Sequence, residues 1–85
     1  MMKKIIEVIF TSKTKDWKQL IRNWRPFYML HLKDEHWIWY SKFYKDNSDI
    51  AMKIQVWQMF TLEVKQNWEY NNLLSLKDKD WNIII

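Results

Sequence analysis

The sequence predicts an α+β fold: a small antiparallel sheet of four to six strands with one amphipathic helix, at about residues 14–24, packed on one face. Three observations lead there. Lys4–Thr11 (KIIEVIFT) is rich in β-branched residues. Trp17, Leu20, Ile21 and Trp24 fall at i, i+3, i+4 and i+7, one apolar helical stripe. The remaining chain alternates apolar and polar residues between clusters of turn formers.

Taken in order, Ile6, Val8 and Phe10 share one face of the first strand, and Ile5, Glu7 and Ile9 the other. Thr14 suits a helix N-cap and Asp16 a first turn. Pro26 ends the helix, because the residue before proline is pushed out of the helical region. Phe27–Lys33 and His36–Lys45 read as a hairpin across Lys33–Asp34–Glu35, and residues 45–49 (KDNSD) as a turn. Ile50–Val64 is the longest alternation, long enough that a bend or break is expected near Gln58–Thr61. Residues 66–76 fit a short helix or an irregular strand. Leu73–Leu76 and Trp81–Ile85 would close the sheet as a last hairpin about KDKD.

With 85 residues the chain is one compact domain, 1–85, near the lower size at which a core suffices. Aromatic content of 18%, with seven Trp, supplies large apolar surfaces for it. There is no Cys, so neither a disulfide framework nor a thiolate zinc site is available. There is no Gly, which excludes glycine-rich phosphate loops and dinucleotide fingerprints. Turns are accordingly expected from Asp, Asn, Ser and Lys, mostly of type I. The N-terminal MMKKIIEVIF is interrupted by Glu7 and is followed by no small-residue cleavage site, so a cytoplasmic location is expected. No apolar run approaches the length of a membrane span.

The charge of +4 is unevenly placed. Residues 1–45 hold ten Lys and Arg against four acids, and residues 46–85 hold four against six. A basic half points to an acidic partner. Lys15, Lys18, Arg22 and Arg25 lie at i, i+3, i+7 and i+10, one narrow sector of the expected helix. His36–Tyr44 (HWIWYSKFY) gathers aromatic side chains on both faces of a strand. Trp and Tyr are the residues of interface hot spots and of base-stacking platforms.

Chemistry is harder to find. His31 and His36 flank the hairpin turn near Asp34 and Glu35, where a metal or an acid–base pair could sit. Asp49 with Glu63–Val64–Lys65 is the bare skeleton of a two-carboxylate, one-lysine nuclease site. Neither has a supporting motif, and no Ser–His–Asp arrangement stands out. The reading is therefore a non-enzyme with no cofactor and no metal, acting through a macromolecular interface.

Its candidate partner-binding residues are Lys15, Lys18, Arg22, Arg25, Trp37, Trp39, Tyr40, Lys42 and Tyr44. A protein target with an acidic surface is the first reading. Abundant Lys, Ile and Asn point to an AT-rich genome, and the format suits a phage or mobile-element inhibitor of a host enzyme or defence nuclease (anti-CRISPR-like). The alternative is a single-stranded nucleic-acid-binding module that combines aromatic stacking with the basic stripe. A basic helix lying on a membrane surface and a homodimer through an uncovered sheet face are further outlets.

Overall fold

The computed structural model describes all of residues 1–85. Seven strands follow one another: β1 (Met2–Thr11), β2 (Ile21–Arg22), β3 (Arg25–Pro26), β4 (Tyr28–Asp34), β5 (Trp39–Tyr44), β6 (Gln58–Asn67) and β7 (Tyr70–Lys77). A single 3-10 turn, Ile50–Lys53, lies between β5 and β6. Five strands close into a barrel in the order β1-β4-β5-β7-β6, and β2 and β3 form a small ladder outside it. All barrel neighbours are antiparallel except β5 and β7, which run parallel at Ser41 and Asn72. β1 serves two partners: residues 2–5 pair with β6, and residues 5–11 with β4. A bulge between Ile5 and Glu7 bends the strand from one to the other.

Ranked along the chain, the barrel strands run 1-2-3-5-4, with the fourth closing on the first. That order, with parallel closure of the third on the fifth, is the Greek-key barrel of the oligonucleotide/oligosaccharide-binding (OB) fold. No helix is long and apolar enough to cross a membrane.

Alternation along each strand fills the interior. Ile5, Leu30, Leu32, Tyr40, Phe60, Leu62, Leu73 and Leu76 are buried, and Ile50 and Ile54 join them from the 3-10 turn and the residue after it. Burying each aliphatic side chain contributes about 1.5–3 kcal/mol. None of the seven tryptophans is in this core, although their number led the sequence to be read as core-forming.

Two charged residues are buried: Lys33, which pairs with Glu7 at 2.9 Å, and Asp34. Asp34 is fully enclosed at the end of β4. Its Oδ1 accepts from the backbone N–H of His36 (2.8 Å) and Ile38 (3.1 Å), and its Oδ2 from the Tyr40 hydroxyl (2.7 Å). Burial raises the pKa of this carboxyl. The hydrogen bonds from Tyr40, Ile38 and His36, with the charge of Lys3, outweigh it and hold the group below its ordinary range. The same burial, and then Asp34 itself, pushes the Tyr40 hydroxyl up.

The expected helix at 14–24 is absent, so the α+β assignment gives way to an almost all-β barrel. Two tight reversals occupy the segment. Thr14 and Lys18 close a three-residue turn: Thr14 N–H donates to Lys18 O (2.8 Å) and Trp17 N–H to Thr14 O (3.0 Å). Thr14 Oγ1 accepts from Lys18 N–H, which makes it the cap of a turn and not of a helix. Asn23–Trp24 then links β2 to β3. An 11-residue helix is marginal without tertiary packing. Here its stripe would have had nothing to face, since Trp17 and Trp24 are 79% and 97% exposed.

The turn at Thr14–Lys18 recurs twice. Asp34–Ile38 and Asp78–Asn82 have the same pair of backbone bonds, at 3.0 Å each. In all three the third loop residue takes a left-handed conformation: Trp17, Trp37 and Trp81, with φ of 63°, 65° and 64°. This is the three-residue hairpin loop, a type I turn followed by a left-handed residue. Trp24, Trp57 and Trp68 also have positive φ, as does Asn23. Type I turns are therefore present in these three loops, each extended by a left-handed residue that the sequence did not announce. Reversal here relies on left-handed residues, at a cost of roughly 1–2 kcal/mol for each side chain bearing a Cβ.

The other expectations held in part. The hairpin across residues 33–35 is β4–β5, and the break in the long alternation comes earlier than expected, as the 3-10 turn before β6. Residues 66–76 are strand around a two-residue turn, and Lys77 bridges to Ile83 after the last reversal.

Asp34→Ala should strand the Tyr40 hydroxyl and two turn N–H groups, lowering stability in urea unfolding by about 3 kcal/mol. Because the native pKa of Asp34 is depressed, its contribution is complete above the unfolded value near 3.9 and fades as pH falls through the native one. The stability gap between wild type and Asp34→Asn should therefore narrow below about pH 4.

Candidate functional site

The outer face of three adjacent strands forms a continuous surface. Glu7, Ile9 and Thr11 of β1 stand opposite Lys33, His31 and Met29 of β4. Those three in turn face Trp39, Ser41 and Phe43 of β5. The connection Ser12–Phe27, between β1 and β4, rises beside this surface and turns it into a groove of about 780 Å³. Ile9, Thr11, Met29, His31 and Trp39 line the strand side. Lys13, Thr14, Lys15, Trp17, Leu20 and Phe27 line the loop side, and Tyr70, the first residue of β7, reaches in at one end.

Aromatic rings and cations meet along it. Phe27 packs against Phe43 with ring centroids 5.3 Å apart, and the Arg22 guanidinium sits 5.8 Å from the Phe43 ring. Phe43 and Tyr70 are 44% and 64% exposed, so both rings are partly open to solvent. His31 shares a 2.7 Å hydrogen bond with Ser41 through Nδ1, and its ring stands edge-on to Trp39. Burial lowers the pKa of His31. The groove centre is therefore neutral at pH 7, and the charge lies on its rim.

That rim is strongly basic. Ser12–Phe27 holds Lys13, Lys15, Lys18, Arg22 and Arg25 against Asp16 alone, and all five cations are exposed. None is in an ion pair; the ion pairs present are Lys33–Glu7, His36–Glu35 and Lys53–Asp49. Uncompensated exposed cations beside an aromatic floor can meet the two parts of a nucleotide, its phosphate and its base.

The residues singled out from the sequence are split by the fold. Lys15 and Trp39 line the groove, and Lys18, Arg22 and Arg25 lie on its loop. Trp37 is in the β4–β5 turn, with the Lys33 ammonium 3.9 Å from its ring. Tyr40 is core, held by Asp34. Tyr44 is half-buried, edge-on to Phe10, and Lys42 is half-buried opposite Leu30. Phe27, Met29, Phe43 and Tyr70 were missed, and His31 was considered only for a metal or acid–base role. The signal was present for three of them, since Phe27, Met29 and His31 alternate along one strand face.

The two catalytic sketches come apart. His31 pairs across the strands with Ser41, whereas His36 lies in the turn. Asp49 sits before the 3-10 turn beside Lys53, and Glu63 accepts from the Ser75 hydroxyl on β7.

An NMR titration of His31 should place its midpoint below 6.5. Since the native pKa lies below the unfolded one, the stability that neutral His31 contributes is present above pH 6.5 and is lost as pH falls through the native midpoint. No family model, no curated protein and no solved structure matches the chain.

Proposed function

We propose that the protein binds single-stranded nucleic acid along this groove. The observation that carries the reading is the coincidence of five unpaired cations on one loop with an aromatic floor on the second and third barrel strands. OB-fold barrels bind oligonucleotides on that face, between the loops joining strands one and two and strands four and five. This part of the argument is analogy of fold, and the site residues must carry the rest. Ser12–Phe27 is the first of those loops, and Trp68–Glu69, beside Tyr70, is the second.

In this mechanism Lys15, Lys18, Arg22 and Arg25 track the phosphates, while Phe27, Phe43 and Tyr70 offer faces for bases. His31 and Ser41 lie between them as hydrogen-bonding groups. Binding of this kind tolerates many sequences, because every base has a π face. Docking of an acidic protein, the first reading of the sequence, rests on these four cations together with aromatic anchors at Trp37, Trp39, Tyr40 and Tyr44, of which Tyr40 is core and Tyr44 half-buried. With no helix there, the charges edge a groove suited to a threaded strand.

Fluorescence anisotropy with a labelled single-stranded oligonucleotide tests this. Four phosphate contacts predict a log–log salt slope of about −3. Charge reversal at Arg22 and Arg25 should abolish binding at physiological salt. Phe43→Ala or Tyr70→Ala should weaken it by about 1–3 kcal/mol each without changing the slope. No binding at low salt would sink the proposal and leave a protein partner as the occupant, and a preference for duplex would sink it in favour of double-stranded nucleic acid.

A further inference from the structure

The chain has no glycine and seven tryptophans. Six of the seven, Trp17, Trp24, Trp37, Trp57, Trp68 and Trp81, have positive φ, and the one other residue that does is Asn23. Left-handed backbone is the ordinary place of glycine and occasionally of Asn or Asp, because a Cβ crowds the following carbonyl. A bulky aromatic there is an outlier.

Five of the six positions are ones where glycine is the standard solution, and Trp57, with φ of 68°, shares their left-handed backbone. Asn23–Trp24 is a two-residue hairpin loop with both φ positive, the geometry that selects Asn-Gly. Trp68 is the first residue of a two-residue loop closed by Asn67 and Tyr70, the place of glycine in a type II′ turn. Trp17, Trp37 and Trp81 are the left-handed third residues of three alike turns. Four of the six directly follow Asp or Asn, at 16, 23, 67 and 80, so the pairs stand where Asp-Gly and Asn-Gly mark hairpins.

The indoles offer no competing reason to be there. Exposure runs from 65% at Trp57 to 102% at Trp68, and none of the six makes a side-chain hydrogen bond. Three rings lie under a lysine, Trp17, Trp37 and Trp81. The six do not share a face: Trp37 and Trp68 lie at one end of the barrel, Trp17 and Trp81 at the other.

We propose that these six positions carry glycine in the protein as its own cell makes it, the codon written here as tryptophan being a glycine codon there. UGA, a stop signal in the common code, specifies tryptophan under some genetic codes and glycine under others. A chain whose glycines all come from that codon, translated by the tryptophan rule, has no glycine and a tryptophan at each glycine position. This accounts for the missing glycine and for the crowd of exposed indoles together. It is independent of the proposed nucleic-acid binding, whose cations, Phe27, Phe43 and Tyr70 lie outside the set.

The direct test is peptide sequencing by mass spectrometry of the protein purified from the cells that encode it. Glycine at 17, 24, 37, 57, 68 and 81 is expected, and tryptophan there would overturn the proposal. A second test compares the chain as written with one carrying all six Trp→Gly substitutions, both made in a standard host. The glycine chain should melt higher, by at least about 10 °C. A lower melting temperature would show that the turns are built for tryptophan and would overturn it equally.

Discussion

Closing five strands into a barrel within 85 residues leaves little chain for reversals, so the reversals must be tight and their backbone geometry governs the rest. A two- or three-residue hairpin loop matches the right-handed twist of its strands only when a residue takes positive φ. Remove that residue from Asp34–Ile38 and β4 and β5 lose the register that sets Met29 opposite Phe43 and Lys33 opposite Trp39. A slip of one residue would exchange the two faces of the strand, sending His31 inward and Leu32 out. The core and the groove floor are two sides of the same strands, so both depend on the turn.

Asp34 shows how turn and core are joined. One carboxylate oxygen organises the loop through the N–H groups of His36 and Ile38, and the other holds the Tyr40 hydroxyl inside the barrel. Asp78 repeats the first half of this device at an exposed turn, accepting from Asp80 and Asn82. It does so without a buried partner, so less depends on it. An ionised group in the interior is tolerated only when its lone pairs are filled, and here three donors fill them. The remaining interior is small and, apart from Phe60, aliphatic, which is how a barrel of this size is completed without tryptophan.

The strands were legible and the helix was not, for one physical reason. β1, the β4–β5 hairpin and the alternation in β6 follow from β-branched and aromatic residues at period two, and such patterns survive because burial enforces them. The apolar stripe at 14–24 depended on Trp17 and Trp24 counting as buried hydrophobes. Both are turn residues, and without them Leu20 and Ile21 make no stripe. The same misassignment hid the groove: the cations were placed on a helix, and Tyr40 and Tyr44 were given to a surface although they face inward. What the residues did state plainly was Asp16–Trp17 and Asn23–Trp24, two turn-forming acids or amides each followed by a residue that hydropathy alone cannot interpret.

The position of the charge then has a structural explanation. Ser12–Phe27 is the longest connection between barrel strands, somewhat longer than residues 45–57 between β5 and β6, and long connections in compact domains are normally functional. It carries its own ladder, β2–β3, and the bridge from Lys13 to Gln19, so it is a shaped wall. Its cations form no ion pair with the barrel, Arg22 alone lying over the Phe43 ring, and their mutual repulsion works against the folded loop. An anion following the groove would relieve that repulsion while its attached rings covered Phe43 and Tyr70. The wall would remain if Trp17 and Trp24 were reduced to glycine, because their backbone conformation shapes it and their exposed rings contribute little to holding it. Turn geometry and ligand chemistry are thus carried by different residues, which allows each to be altered without the other.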